Sequence, residues 1–221
     1  MAVPLPRTRG RRLRPEPGRA GAIDVLVLFC HPEPGSFAGS IRAALEAELA
    51  RAGHRVRILD LYAEGFDPVL DAEGWRAHRA GERHGSADIA PHVAALTEAE
   101  GLVLVYPTWW YGLPAVLKGW FDRVWQPGVA FTLEDGVFRA HRLPRLIRFA
   151  AIATYGSPRL FIEWLVGDPA RRQLVRGLAL QFAKGVRCCW APIYAVDAKS
   201  EARLAKERAR AVAKVARLFG A

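Results

Sequence analysis

Four short apolar runs and one alternating run, Arg55–Leu59, recur along this 221-residue chain, and stretches of helical character separate them. The runs are Ile23–Cys30, Arg55–Leu59, Leu102–Tyr106, Leu146–Ala153 and Val186–Tyr194. The first is nearly all apolar, the signature of a central parallel strand covered on both faces. Helices are predicted over Ser40–Ala52, Ala72–Ala80, Ile89–Ala99, Ala115–Trp125, Leu160–Leu165, Ala170–Phe182 and Lys199–Arg217. Strands alternating with helices predict an α/β protein with a doubly wound parallel sheet. Right-handed crossovers leave few ways to wind it, and 2-1-3-4-5 is the usual order for five strands.

The formal net charge of +10 suggests nucleic acid until it is located. Residues 1–20 hold six Arg, four Pro and one Glu, and are expected to form a disordered basic tail before a single domain over 21–221. Lys199–Arg217 carries seven basic and two acidic side chains, and the residues between tail and helix are neutral. The charge sits at the two ends, so a solvated tail and helix face explain it, and no nucleic-acid partner is expected. Peripheral contact with an anionic membrane stays open. No apolar run approaches the roughly 18 residues of a membrane helix, and a cytoplasmic location is expected. Cys30, Cys188 and Cys189 have no metal spacing and are expected as buried free thiols; no metal site is expected.

In the 2-1-3-4-5 order, the carboxyl ends of strands one, three and four open onto one crevice, the place where such sheets bind ligands. Those ends are His31–Phe37, Pro107–Gly112 and Thr154–Ser157, the three oddest loops in the chain. The first leads into a helix N-terminus suited to a phosphate, with Ser36 as cap or ligand. It is neither a GxGxxG nor a Walker loop. The second, Pro107-Thr108-Trp109-Trp110-Tyr111-Gly112, places three rings in a row where a loop is ordinarily polar. They suggest a wall for a flat ligand. In the third, the amides near Tyr155 and Gly156 are expected to face that ligand's oxygens.

Phe29-Cys30-His31-Pro32 with Ser36-Phe37, and the block from Tyr106 to Val124, resemble the flavodoxin-like NAD(P)H:quinone oxidoreductases. The resemblance implies a flavodoxin-like fold, a flavin (FAD, with FMN possible in some members) and NAD(P)H as hydride donor. It places His31, Ser36 and Phe37 at the phosphates and Pro107, Thr108, Trp109, Trp110, Tyr111 and Gly112 along the isoalloxazine. Thr154, Tyr155 and Gly156 would flank its N1–O2 side. It implies a homodimer in which Phe131 and Leu133 line the partner's substrate site. The expected activity is two-electron, ping-pong reduction of a quinone-like acceptor; a flavin-bearing ancillary subunit of a transport system is the alternative. Two departures stand out. Leu160 and Val166 occupy the region where mammalian members carry a Tyr and a His, and Ala38 replaces a common Asn. With that pair missing, the amides of Thr154–Gly156 are expected to stabilise the charge of the reduced flavin.

Overall fold

The computed structural model describes residues 21–134, 137–139, 143–183 and 185–220; the basic tail expected over 1–20 lies outside them. Strands β1 (Asp24–Phe29), β2 (Arg55–Asp60), β3 (Gly101–Pro107), β6 (Arg148–Thr154) and β7 (Arg187–Trp190) form one sheet in the order β2-β1-β3-β6-β7, every neighbour parallel. A two-stranded hairpin, β4 (Thr132–Glu134) with β5 (Val137–Arg139), interrupts the count. Without it, the order is the expected flavodoxin-like 2-1-3-4-5.

The period-two alternation of β1 sorts its side chains between two cores. Val25, Val27 and Phe29 meet Ile41, Leu45 and Leu49 of helix α1 (Phe37–Arg51) and Val212, Val215 and Phe219 of the C-terminal helix α6 (Glu201–Phe219). Leu26, Leu28 and Cys30 face the other layer. There they meet helices α3 (Ala90–Glu98) and α4 (Ala115–Val124) through Val93, Leu96, Leu117, Trp120 and Phe121. Helix α2 (Ala72–Ala80) lies in the β2–β3 connection and uses Asp71 as its N-cap. Each large apolar side chain buried this way contributes about 1.5–3 kcal/mol. Two covered faces explain why β1 and β3 read as nearly continuous apolar runs.

Three expectations change. Val186–Tyr194 is strand only over Arg187–Trp190, with a separate bridge from Ile193 to Thr154. Cys30 is buried as expected, but Cys188 is exposed and Cys189 half-buried, because β7 is an edge strand. The helical pieces after β6 are wound differently. Phe161–Val166 and Arg172–Gly177 are π-helical turns, separated by the short α5 (Pro169–Arg171), and Leu178–Gln181 is a 3-10 turn. The wider π-helical turns recur at functional sites.

Candidate functional site

The three expected loops do emerge side by side, because β1, β3 and β6 are adjacent. Two strand spacings set the outer loops about 10 Å apart, enough for a flat ring system to lie across the middle one.

The first loop is closed on itself. The Glu33 amide donates to His31 Nδ1 at 3.0 Å, and the Gly35 amide donates to Glu33 Oε1 at 3.1 Å. Ser36 caps α1, its hydroxyl oxygen accepting from the Gly39 amide at 3.1 Å. The helix therefore starts at Phe37, three residues before the expected Ser40. A Cβ on Gly39 would lie 2.0 Å from the Pro34 carbonyl oxygen, so only glycine permits this tight entry. Among the described residues the amides of Phe37 and Ala38 have no partner, and the first turn carries no acid. Two open N–H groups at the positive end of a helix form a seat for a phosphate.

The second loop is strained. Trp109 and Gly112 exchange backbone hydrogen bonds of 3.2 and 3.0 Å, closing a turn over Trp110 and Tyr111. Both central residues have positive φ, 48° and 65°. That pattern belongs to type I′ turns, which ordinarily use Asn-Gly. A left-handed non-glycine residue costs roughly 1–2 kcal/mol. The rings recover little of it: Trp110 is 91% exposed and Trp109 58%. Tyr111 alone is half-buried, its ring 5.8 Å from that of Phe161. The rings thus point in different directions, and two of them reach past the fold.

The third loop is tied to the second. Thr108 donates to the Thr154 carbonyl twice, from its amide at 2.8 Å and from its hydroxyl at 3.0 Å. Tyr155 departs from expectation. Its amide donates to the Ile193 carbonyl at 2.8 Å, and its buried phenol donates to Asp168 Oδ1 at 2.8 Å. Parallel pairing beyond the end of β7 takes the donor that the sequence left free. The Gly156 amide has no partner among the described residues, which leaves it open to a ligand's negative charge. Gly156 also lies under Asp197, whose Oδ2 would be 2.8 Å from a Cβ.

Asp168, Glu163 and Tyr194 escaped sequence reasoning. Asp168 caps α5 through the Arg171 amide, and Tyr194 donates to Glu163 Oε1 at 3.0 Å. The Asp168-Pro169 pair was a legible signal, since an acid before a proline marks a helix start. Burial first, and then the hydrogen bond to Asp168, push the Tyr155 phenol far above its ordinary value, so it stays a donor. Burial and Glu163 do the same for Tyr194.

Phe131 is buried against the His78 ring at 5.5 Å. Together with Trp75, Phe121 and Trp125 it lines a cavity of about 530 Å3. Leu133 lies on β4, and its side chain is outside the described residues. Leu160 is exposed and Val166 half-buried, and neither offers a donor where the family's Tyr and His would stand.

The residues fit a flavin. Open amides at Phe37 and Ala38 suit its phosphate, the exposed rings suit its flat faces, and the amides of Trp110, Tyr111 and Gly156 have no partner among the described residues. Among the described residues no group of three or more His, Cys, Asp or Glu could hold a metal ion, and no helix is long and apolar enough to cross a membrane.

Known proteins with the same features bear this out for the fold and family. A family model described as a flavodoxin-like fold, Flavodoxin_2, matches residues 24–216. The human ribosyldihydronicotinamide dehydrogenase [quinone] is 30% identical over 162 residues, covering 66% of this chain and 70% of its own. An uncharacterized NAD(P)H oxidoreductase of Escherichia coli is 33% identical over 140 residues, covering 63% of this chain and 68% of its own. The chain thus spans about two thirds of the length of these curated relatives. Among solved structures, the NAD(P)H:quinone oxidoreductase from Methanothermobacter marburgensis superposes with a TM-score of 0.77 at 25% identity, covering 89% of this chain and 97% of that one. An FMN-dependent NADH-azoreductase from Bacillus anthracis, solved with FMN, shares the fold at 13% identity and a TM-score of 0.67. The strand order, the ring-bearing turn and the matched residues agree: the chain belongs to the flavodoxin-like NAD(P)H:quinone oxidoreductase family.

Proposed function

We propose that this enzyme holds a flavin across its three loops and uses NAD(P)H to reduce a flat, quinone-like acceptor. The observation that carries this reading is Trp110, kept 91% exposed on left-handed backbone at the carboxyl edge of the sheet. A chain that forgoes both burial and relaxed backbone at one residue has another use for that ring.

The amides of Phe37 and Ala38 hold the phosphate, with Ser36 fixing the helix entry. FAD and FMN share that phosphate, and FMN is the flavin that the azoreductase named above contains. Pro107 and Thr108 set the floor of the slot, and the Thr108–Thr154 pair keeps its two sides together. Trp109, Trp110 and Tyr111 orient flat molecules and exclude water. Gly156 presents the N–H that would meet negative charge on the ring system. When bound, the flavin supplies two-electron redox chemistry. Donor and acceptor are both flat and meet the same rings, so they use the slot in turn, and parallel-line initial-rate kinetics are expected. The exposed side chains of Leu160, Trp164 and Leu165 beside the slot suit a second copy of the chain, consistent with a homodimer.

The test is to purify the protein, record its visible spectrum, identify the released flavin by mass, and assay NAD(P)H oxidation with menadione. A colourless protein that takes up neither FAD nor FMN overturns the reading. A flavin-loaded protein with negligible turnover favours the ancillary-subunit role instead.

A further inference from the structure

A cavity of about 280 Å3 opens beside Gly167, lined by Arg159, Arg171, Arg172 and Arg176. Two acids share its wall, and both are engaged. Glu163 accepts from Arg159 at 2.9 Å and from the Tyr194 hydroxyl, and Asp168 accepts from Tyr155. Burial raises the Glu163 carboxyl, but the hydrogen bonds of Arg159 and Tyr194 and the charges of Arg159 and Arg171 outweigh it. Arg171 is thereby partly compensated. Arg172 and Arg176 form no ion pair among the described residues. Gly167, at φ +80°, lets the Arg172 guanidinium lie against the loop, since a Cβ there would be 3.1 Å from Nη2.

Uncompensated guanidinium groups around a concave space suit a phosphate monoester, whose oxygens accept from several N–H groups at once. The cavity also stands in a telling place. Phe161 and Glu163 are two residues apart on one helical turn, and so point to opposite sides of it. Phe161 meets Tyr111 of the ring-bearing turn, while Glu163 lines the arginine cavity. The slot and the cavity are therefore separated by about one helix diameter, roughly 10 Å. A dinucleotide with its nicotinamide in the slot reaches across that distance.

We propose that the Arg172–Arg176 cavity binds the 2′-phosphate of NADPH and makes the enzyme select NADPH over NADH. This rests on the function proposed above, and a direct binding measurement separates the two. Wild type, the Arg172→Ala/Arg176→Ala pair and the Arg172→Lys/Arg176→Lys pair are assayed with both dinucleotides and menadione. The NADPH-to-NADH ratio of kcat/KM is expected to exceed ten in the wild type and to fall at least tenfold in the alanine pair, through KM for NADPH. The lysine pair recovers part of it, keeping the charge without the planar fork. Equal use of both dinucleotides by the wild type, or a ratio that survives the alanine pair, overturns the inference.

Calorimetric titration of the flavin-loaded protein with adenosine 2′,5′-bisphosphate tests the cavity without turnover. Binding at least tenfold tighter than that of 5′-AMP, and lost in the alanine pair, supports the site even if no quinone is reduced. No such binding overturns it even if quinone is reduced. Arginine-dependent sedimentation with phosphatidic acid vesicles, without binding of the bisphosphate, assigns the cavity to a lipid headgroup and overturns the dinucleotide assignment.

Discussion

The Tyr155 hydroxyl donates to Asp168 Oδ1 at 2.8 Å, and both residues are buried. That bond joins the carboxyl end of β6 to the first turn of α5, on the path between the ring slot and the arginine cavity. Asp168 holds a left-handed conformation, φ 46°, while its carboxylate caps the Arg171 amide. Its second oxygen and the Tyr106 hydroxyl are both buried without a partner among the described residues. The bond to Tyr155 is therefore a main support of a strained, charged position.

Removing it should be expensive. Tyr155→Phe deletes a hydrogen bond to a charged, buried acceptor and is expected to destabilise the fold by about 2–3 kcal/mol in urea titrations. Asp168→Asn keeps an acceptor and should cost less than Tyr155→Phe. A Tyr155→Phe loss below about 0.5 kcal/mol would mean that water replaces the phenol and that the support is dispensable.

Trp110→Asn tests whether the ring turn is built for a ligand. Asparagine tolerates left-handed backbone, so the flavin-free protein should gain about 1 kcal/mol and melt several degrees higher. The same variant should bind flavin more weakly and reduce menadione more slowly. A variant that is both more stable and fully active would remove the functional reading of the exposed ring.

Much of this was legible in the chain. The apolar run of β1 and the Ser36 cap follow from local rules, and the alternation of strands with helices was enough for strand order and for the three loops. The Tyr106–Val124 block carried the family. The rest depends on tertiary partners. The Tyr155 amide looked free because its acceptor, the carbonyl of Ile193, lies 38 residues on and pairs only after β7 has ended. Cys188 lies in an apolar run, yet it is exposed because β7 has a neighbour on one side only. The π-helical turns over 161–177 keep ordinary helical composition, so periodicity alone did not separate them from α-helix.

Gly39→Ala probes the entry to the phosphate seat. The added Cβ would meet a backbone carbonyl at 2.0 Å, a contact no side-chain rotation relieves. The loop must move, and a loss of about 2 kcal/mol or more is expected. Flavin retention on gel filtration should fall with it. Gly35→Ala is the control, because its Cβ would meet only the flexible Glu33 carboxylate at 3.3 Å. Equal stability and flavin retention in the two variants would show that the tight entry does not shape the seat.

The stability of the fold should fall as acid approaches pH 5, and His92 is the reason that can be isolated. Its ring is buried, and its Nδ1 accepts from the Trp120 indole at 3.3 Å, which requires an unprotonated Nδ1. Burial, the largest influence, and the nearby Arg57 and Arg123 push its pKa below the ordinary 6.5, against an opposing pull from Asp88. Below pH 6.5 the unfolded chain takes up a proton that the folded one refuses, so stability is complete above that pH and is lost as pH falls toward the lower folded value. His54 is shifted in the same direction by burial and Arg148, and it contributes a parallel loss. His92→Asn keeps an acceptor for Trp120 and cannot titrate. Urea midpoints measured from pH 7.5 to 5 should decline less steeply for His92→Asn than for the wild type. Parallel curves for the two proteins would show that His92 charges freely in the fold, and that the Trp120 hydrogen bond does not hold it neutral.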